Sequence, residues 1–114
     1  MKYILLIYGD EKAWESLSKE EMEKVYDGHR AYGEAMTKAG VILGGHELKP
    51  VSTATSLRFG GNGRPKVIDG PFAETKEQLA GFYLIEVDNL EQALEWAEKM
   101  PGMLGGTVEV RPVA

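Results

Sequence analysis

Cysteine is absent from this chain, which excludes disulfides, thiolate nucleophiles and cysteine-based zinc sites and is compatible with a reducing compartment. Long apolar runs are absent too. The longest, Tyr3 to Tyr8, falls far short of a bilayer span, and Gly-Asp-Glu-Lys follows it where a small-residue cleavage site would stand. Positive charge is in deficit: 13 Lys and Arg face 18 Asp and Glu, for a formal charge of -5, so the surface on balance repels phosphate backbones and anionic membranes. There is no nucleophile elbow, phosphate-cradling glycine loop or dinucleotide fingerprint, because Gly60-Gly61-Asn62-Gly63 reads as a hairpin turn. These absences lead to the expectation of a cytoplasmic protein with no cofactor, no nucleic-acid partner and no membrane partner.

What is present suits one domain over residues 1–114, since 43% hydrophobic residues supply apolar material for one core. Lys2 to Tyr8 is β-branched and aromatic with apolar side chains on both faces of the pleat, as a strand buried on both sides requires. Gly9-Asp10 ends it. Ser18 with Glu21 forms a capping box and Leu17 with Met22 a hydrophobic staple, so a helix is expected from here to about Ala39, stopped by Gly40. Val41 to Leu48 reads as a strand interrupted by Gly44-Gly45, a pair that signals a bulge or a close backbone approach. Thr53 to Phe59 and Lys66 to Asp69 flank the glycine turn as a hairpin, and Leu79 to Val87 is a second strand with both faces largely apolar. Asp88-Asn89 offers caps in two registers for a second helix with Leu90, Ala93, Leu94, Ala97 and Met100 on its apolar face, and Pro101-Gly102 ends that helix. Thr107 to Arg111 is the last strand.

This order predicts an α+β fold whose simplest form is ferredoxin-like, a βαββαβ core with an inserted β-hairpin and both helices on one face of the sheet. Such a sheet leaves its other face bare, yet Tyr3 to Tyr8 and Leu79 to Val87 are apolar on both faces. With every predicted helix already used, the expected cover is a second copy of the chain, giving a homodimer.

Candidate chemistry is sparse. On the first long helix Met22, Val25, Tyr26, Gly33 and Met36 make the inward stripe, and His29 falls in its middle. A histidine there is either a hydrogen-bonded core or interface imidazole, or a proton carrier whose exchange burial brings into the physiological range. Asp69-Gly70-Pro71-Phe72 is the second candidate. Pro71 pushes Gly70 out of helical geometry, Gly70 permits a sharp turn and Phe72 can anchor the loop in the core, which would hold Asp69 at a fixed place; the alternative is an ordinary turn in which Asp69 bonds its own backbone. His46 could join His29 and Asp69 as a metal site, but nothing in the spacing requires it and a solvated His46 is expected, with no metal.

The opening Met-Lys-Tyr-Ile-Leu-Leu-Ile-Tyr-Gly-Asp, the helix with His29, the run Asp69-Gly-Pro-Phe-Ala-Glu-Thr-Lys-Glu-Gln-Leu-Ala-Gly-Phe-Tyr and the closing Val-Glu-Val-Arg-Pro resemble the YCII-related family, specifically its DGPF branch. The resemblance covers nearly the whole chain. It implies a dimeric α+β barrel with a cavity between helices and sheet, and a His and an Asp as an acid/base pair, which map onto His29 and Asp69. It also places Glu74, Lys76 and Glu77 near the cavity mouth. With such a cavity, Tyr8, Tyr26 and Phe72 are the expected contacts to a small-molecule ligand. Related barrels carry out isomerisation, elimination and oxygenation of small organic molecules, and DGPF members often lie beside extracytoplasmic-function sigma factors.

Two functions follow as expectations. The first is an enzyme of the lyase or isomerase type in which His29 exchanges a proton with a small organic substrate and Asp69 orients the imidazole. The second is a non-catalytic ligand-binding or regulatory dimer that uses the same cavity, with a transcription factor as its partner.

Overall fold

A computed structural model describes residues 1–114 in full. Strand β1 (Lys2–Gly9) leads to a short helix α1 (Glu11–Glu15), a long helix α2 (Lys19–Lys38) and strand β2 (Ile42–Glu47). A single 3-10 turn at Val51–Thr53 opens a hairpin of β3 (Thr55–Arg58) and β4 (Lys66–Asp69), after which come β5 (Gln78–Glu86), helix α3 (Leu90–Glu98) and β6 (Thr107–Pro112). The main sheet has the order β2-β5-β1-β6 with every neighbouring pair antiparallel, and β3 and β4 form a separate two-stranded sheet. This is the expected α+β, ferredoxin-like arrangement with the hairpin inserted between its second and third core strands.

Local chemistry sets most of these boundaries. The Ser18 hydroxyl accepts from the Glu21 amide while the Glu21 carboxylate accepts from the Ser18 amide, so α2 begins at the capping box. That pairing also holds the Glu21 carboxyl below its ordinary pKa. Of the two registers open to α3, the structure takes the one in which Asn89 caps the Gln92 amide and the Gln92 side chain accepts from the Asp88 amide. Helix α1 was not foreseen: Asp10, read as the end of the strand, also caps the Lys12 amide and starts one more turn and a half of helix.

The core lies on one face of the main sheet. Tyr3, Leu5, Ile85 and Val87 from the strands meet Tyr32 and Met36 of α2, Ala93 of α3 and Met100 just beyond it. Leu5, Met36 and Ile85 are completely buried, each worth about 1.5–3 kcal/mol of hydrophobic stabilisation. Tyr32, outside the predicted inward stripe, enters this core because its hydroxyl reaches the Trp96 carbonyl, at 2.5 Å. On the opposite face the register brings Ile4 beside Leu84 and Leu6 beside Phe82, and these four side chains are only half-buried. The two faces of β1 and β5 are apolar, as read from the sequence, but the helices cover one of them.

The glycine pair proves to be both a bulge and a close approach. The β2–β5 register shifts between Ile42 and Gly44, and a Cβ on Gly45 would sit 2.7 Å from the Phe82 carbonyl oxygen and 2.8 Å from the Tyr83 ring. The hairpin departs further from expectation. Phe72 does not anchor the loop in the core: it is 76% exposed, because the hairpin pairs only with itself and leaves the body, so no layer of the chain lies over the ring. Gly70 behaves as its position predicts, taking φ +98 and closing the base of the hairpin with an amide bond to the Ala54 carbonyl at 2.7 Å. No helix is long and apolar enough to cross a membrane.

Candidate functional site

A cavity of about 660 Å³ opens between α2, α1 and the sheet, with Ile7 and Tyr8 of β1, Trp14 of α1, Tyr26 and His29 of α2, Glu47 of β2 and Tyr83 of β5 among its walls. Its size fits a small organic molecule. The helical period carries Tyr26 and His29 to the same side of α2, and the antiparallel register puts Gly45 opposite Tyr83. Since Gly45 has no side chain, the Tyr83 ring can lie over the β2 backbone and point its hydroxyl at α2.

The central contact follows from that packing. His29 Nδ1 and the Tyr83 hydroxyl are 2.8 Å apart, with the two rings 6.0 Å apart and nearly parallel. Tyr32 meets the other side of this group, edge-on to Tyr83 at 5.4 Å. Burial pushes the His29 pKa below the ordinary histidine value, and the Glu47 carboxylate opposes that by favouring the cation. Burial likewise raises Tyr83 and pushes Tyr32 up to about 12, so both phenols keep their protons at neutral pH. His29 is then a neutral imidazole held at one nitrogen by a protonated phenol.

A second polar pair stands nearer the opening. The Tyr26 hydroxyl donates to the Glu47 carboxylate at 3.0 and 3.3 Å, and Trp14 packs edge-on against Tyr26 with ring centroids 5.6 Å apart. Tyr26 is 44% exposed, and burial of its hydroxyl, followed by the bond to Glu47, raises its pKa. Helix α1, which brings Trp14 here, is tied down by Glu11: its amide donates to the Gln78 side chain and its carboxylate accepts from the Val51 amide, both at 3.0 Å. The same carboxylate thereby links the cavity mouth to the root of the hairpin.

Of the residues singled out by sequence, the structure brings His29, Tyr8, Tyr26 and His46 to the lining of one cavity. Asp69 and Phe72 are elsewhere. Asp69 ends β4, paired with Thr55 across the hairpin, and neither it nor Phe72 is part of the cavity wall in this chain. Within this chain the hydrogen-bond partner of the His29 ring is the Tyr83 hydroxyl. His46 is exposed and sits across from Phe82, one residue out of phase with the Gly45–Tyr83 pair, with its ring edge-on to Phe82 at 6.0 Å, and it makes no hydrogen bond to His29. Sequence reasoning missed Tyr83, Glu47 and Trp14. A signal for Tyr83 was present, in that a glycine pair in one strand leaves room for a large ring on its neighbour.

The chain matches the YCII-related domain over residues 1–114. It is also 41% identical to an uncharacterized protein of Rhizobium meliloti (strain 1021) over 116 aligned positions, which cover 100% of this chain and 93% of that protein. The chain belongs to the YCII-related family.

Proposed function

We propose that this member of the YCII-related family binds a small organic molecule in the cavity beside His29 and moves a proton on it, as an isomerase or lyase does. The single observation that carries this reading is the 2.8 Å contact between His29 Nδ1 and the Tyr83 hydroxyl at the cavity wall. A phenol hydroxyl both donates and accepts, so rotation of the Tyr83 O–H suits either imidazole tautomer. With Nδ1 held, Nε2 offers a lone pair in one tautomer and an N–H in the other.

The chemistry proceeds from that alternation. Burial keeps His29 neutral at neutral pH, which leaves it able to accept a proton from a carbon adjacent to a carbonyl. The imidazolium so formed is stabilised by the Glu47 carboxylate, and returning the proton to a different atom of the same molecule completes an isomerisation. Tyr83 orients the ring, the part that the enzyme expectation from sequence gave to Asp69. Apolar wall residues such as Ile7 and Met103 fit the body of the ligand, while Tyr26 and Glu47 offer polar contacts near the opening. The protein acts as a homodimer in this reading, since a second copy is the simplest cover for Ile4, Leu6, Phe82 and Leu84.

Proton exchange is measurable before any natural substrate is identified. Incubated in D2O with a panel of small β-dicarbonyl compounds and 2-oxo acids, the protein is expected to speed deuterium incorporation at the acidic carbon, and His29→Ala is expected to abolish this with the circular dichroism unchanged. In NMR titration His29 should titrate below the ordinary histidine value, Glu47→Gln should lower the His29 pKa further, and Asp69→Asn should leave it where it is. Probes that bind without any isotope exchange would overturn the catalytic reading and favour a ligand-binding regulatory dimer.

A further inference from the structure

We propose that the β3–β4 hairpin is an arm that seats on the cavity mouth of a second copy of the chain, so that each site is closed by its partner. The arm is set apart from the body by shape. The radius of gyration is 16.1 Å, against about 13 Å for a compact domain of this length, and the molecule is a slab of 48 × 39 × 19 Å. β3 and β4 pair with each other and with no strand of the main sheet. Even so, the arm carries large apolar side chains: Phe59 is 77% exposed, and Leu57, Val67 and Phe72 are exposed as well. A polar surface hairpin has no use for four such residues, whereas a docking element does.

Charge names the occupant. The chain as a whole is acidic, but between Thr55 and Ala73 stand Arg58, Arg64 and Lys66 against Asp69 alone. The cavity mouth has the opposite balance, with Asp10, Glu11, Glu15 and Glu47 against Lys49. A basic, apolar arm and an acidic, aromatic-lined mouth on the same molecule are complementary surfaces, and a reciprocal pair of such contacts closes into a two-fold dimer. The inference rests on the placement of arm and mouth and not on any chemistry at His29.

The absence of cysteine makes the contact easy to trap. One chain carrying Asn62→Cys at the arm tip and another carrying Lys49→Cys at the mouth, given different mass tags and co-expressed, are expected to form the mixed disulfide on mild oxidation. In the same chains Lys66→Glu is expected to cut its yield about tenfold, by placing an anion against an acidic mouth. Both cysteine positions and Lys66 are exposed, so the fold is kept and circular dichroism verifies it. Sedimentation as a monomer at micromolar concentration would overturn the proposal. So would a dimer trapped only through cysteines on the bare sheet face, such as Leu84→Cys, or a yield indifferent to Lys66→Glu. Deuterium exchange by His29 is read independently of the cross-link, so the proton-transfer reading and the arm contact fail separately, while a monomer would also remove the homodimer from that reading.

Discussion

The main sheet and the hairpin are made from similar residues, yet only one of them becomes a core. Leu5 and Ile85 in the sheet are completely buried, while Leu57 and Val67 in the hairpin are exposed. What separates them is a layer. Helix α2 lays Tyr32 and Met36 over the sheet, whereas the hairpin pairs only with itself and contributes no residue to the core. Hydrophobicity is therefore a demand for cover, and the chain meets that demand in the body and leaves it unmet in the arm.

Substitutions break this comparison in a definite order. Ile85→Ala removes a fully buried side chain from a central strand and should cost about 3–4 kcal/mol in urea unfolding, because the surrounding core cannot collapse into the space. Alkaline pH should come next. Tyr32 is pushed up to about 12 by burial, so the folded state keeps a proton that the unfolded chain loses from about pH 10. The stability this provides is fully present below pH 10 and is lost as pH rises toward 12, which melting temperature against pH will follow, and Tyr32→Phe should flatten that fall.

Ser18→Ala should cost about 1 kcal/mol, since it leaves the Glu21 amide without its capping partner at the start of α2. The smallest effect belongs to the arm: Phe72→Ala should change the unfolding free energy of the single chain by no more than about 0.5 kcal/mol. If the arm docks on a second copy, the same change should weaken association in sedimentation while leaving the urea slope of the monomer as it was. A large loss of monomer stability on Phe72→Ala would erase the distinction between body and arm.

A further pH effect separates the site from the core. Burial lowers the His29 pKa, so the unfolded chain takes up a proton near pH 6.5 that the folded one resists. Stability should fall as pH drops below about 6.5, and His29→Gln should remove that part of the acid dependence. Glu47→Gln should steepen it, because the carboxylate that favours the cation would be gone.

The residues alone determined whatever depends on near neighbours. Strand β1, the start of α2 at Ser18 and Glu21, the hairpin about its glycine turn and the sharp bend at Gly70 all follow from periodicity, capping or backbone freedom within a few positions. The apolar double face of β1 and β5 was legible for the same reason, and so was the place of His29 on the inner side of its helix. The imidazole's partner was decided only by tertiary structure: Tyr83 is 54 residues away and reaches His29 because β5 lies beside Gly45 in one particular register. The fate of the Asp69–Phe72 turn was decided there as well. Its local geometry is as the residues predict, but whether a rigid turn sits against a core or projects from it depends on which layers are present to meet it, and that is a property of the whole packed chain.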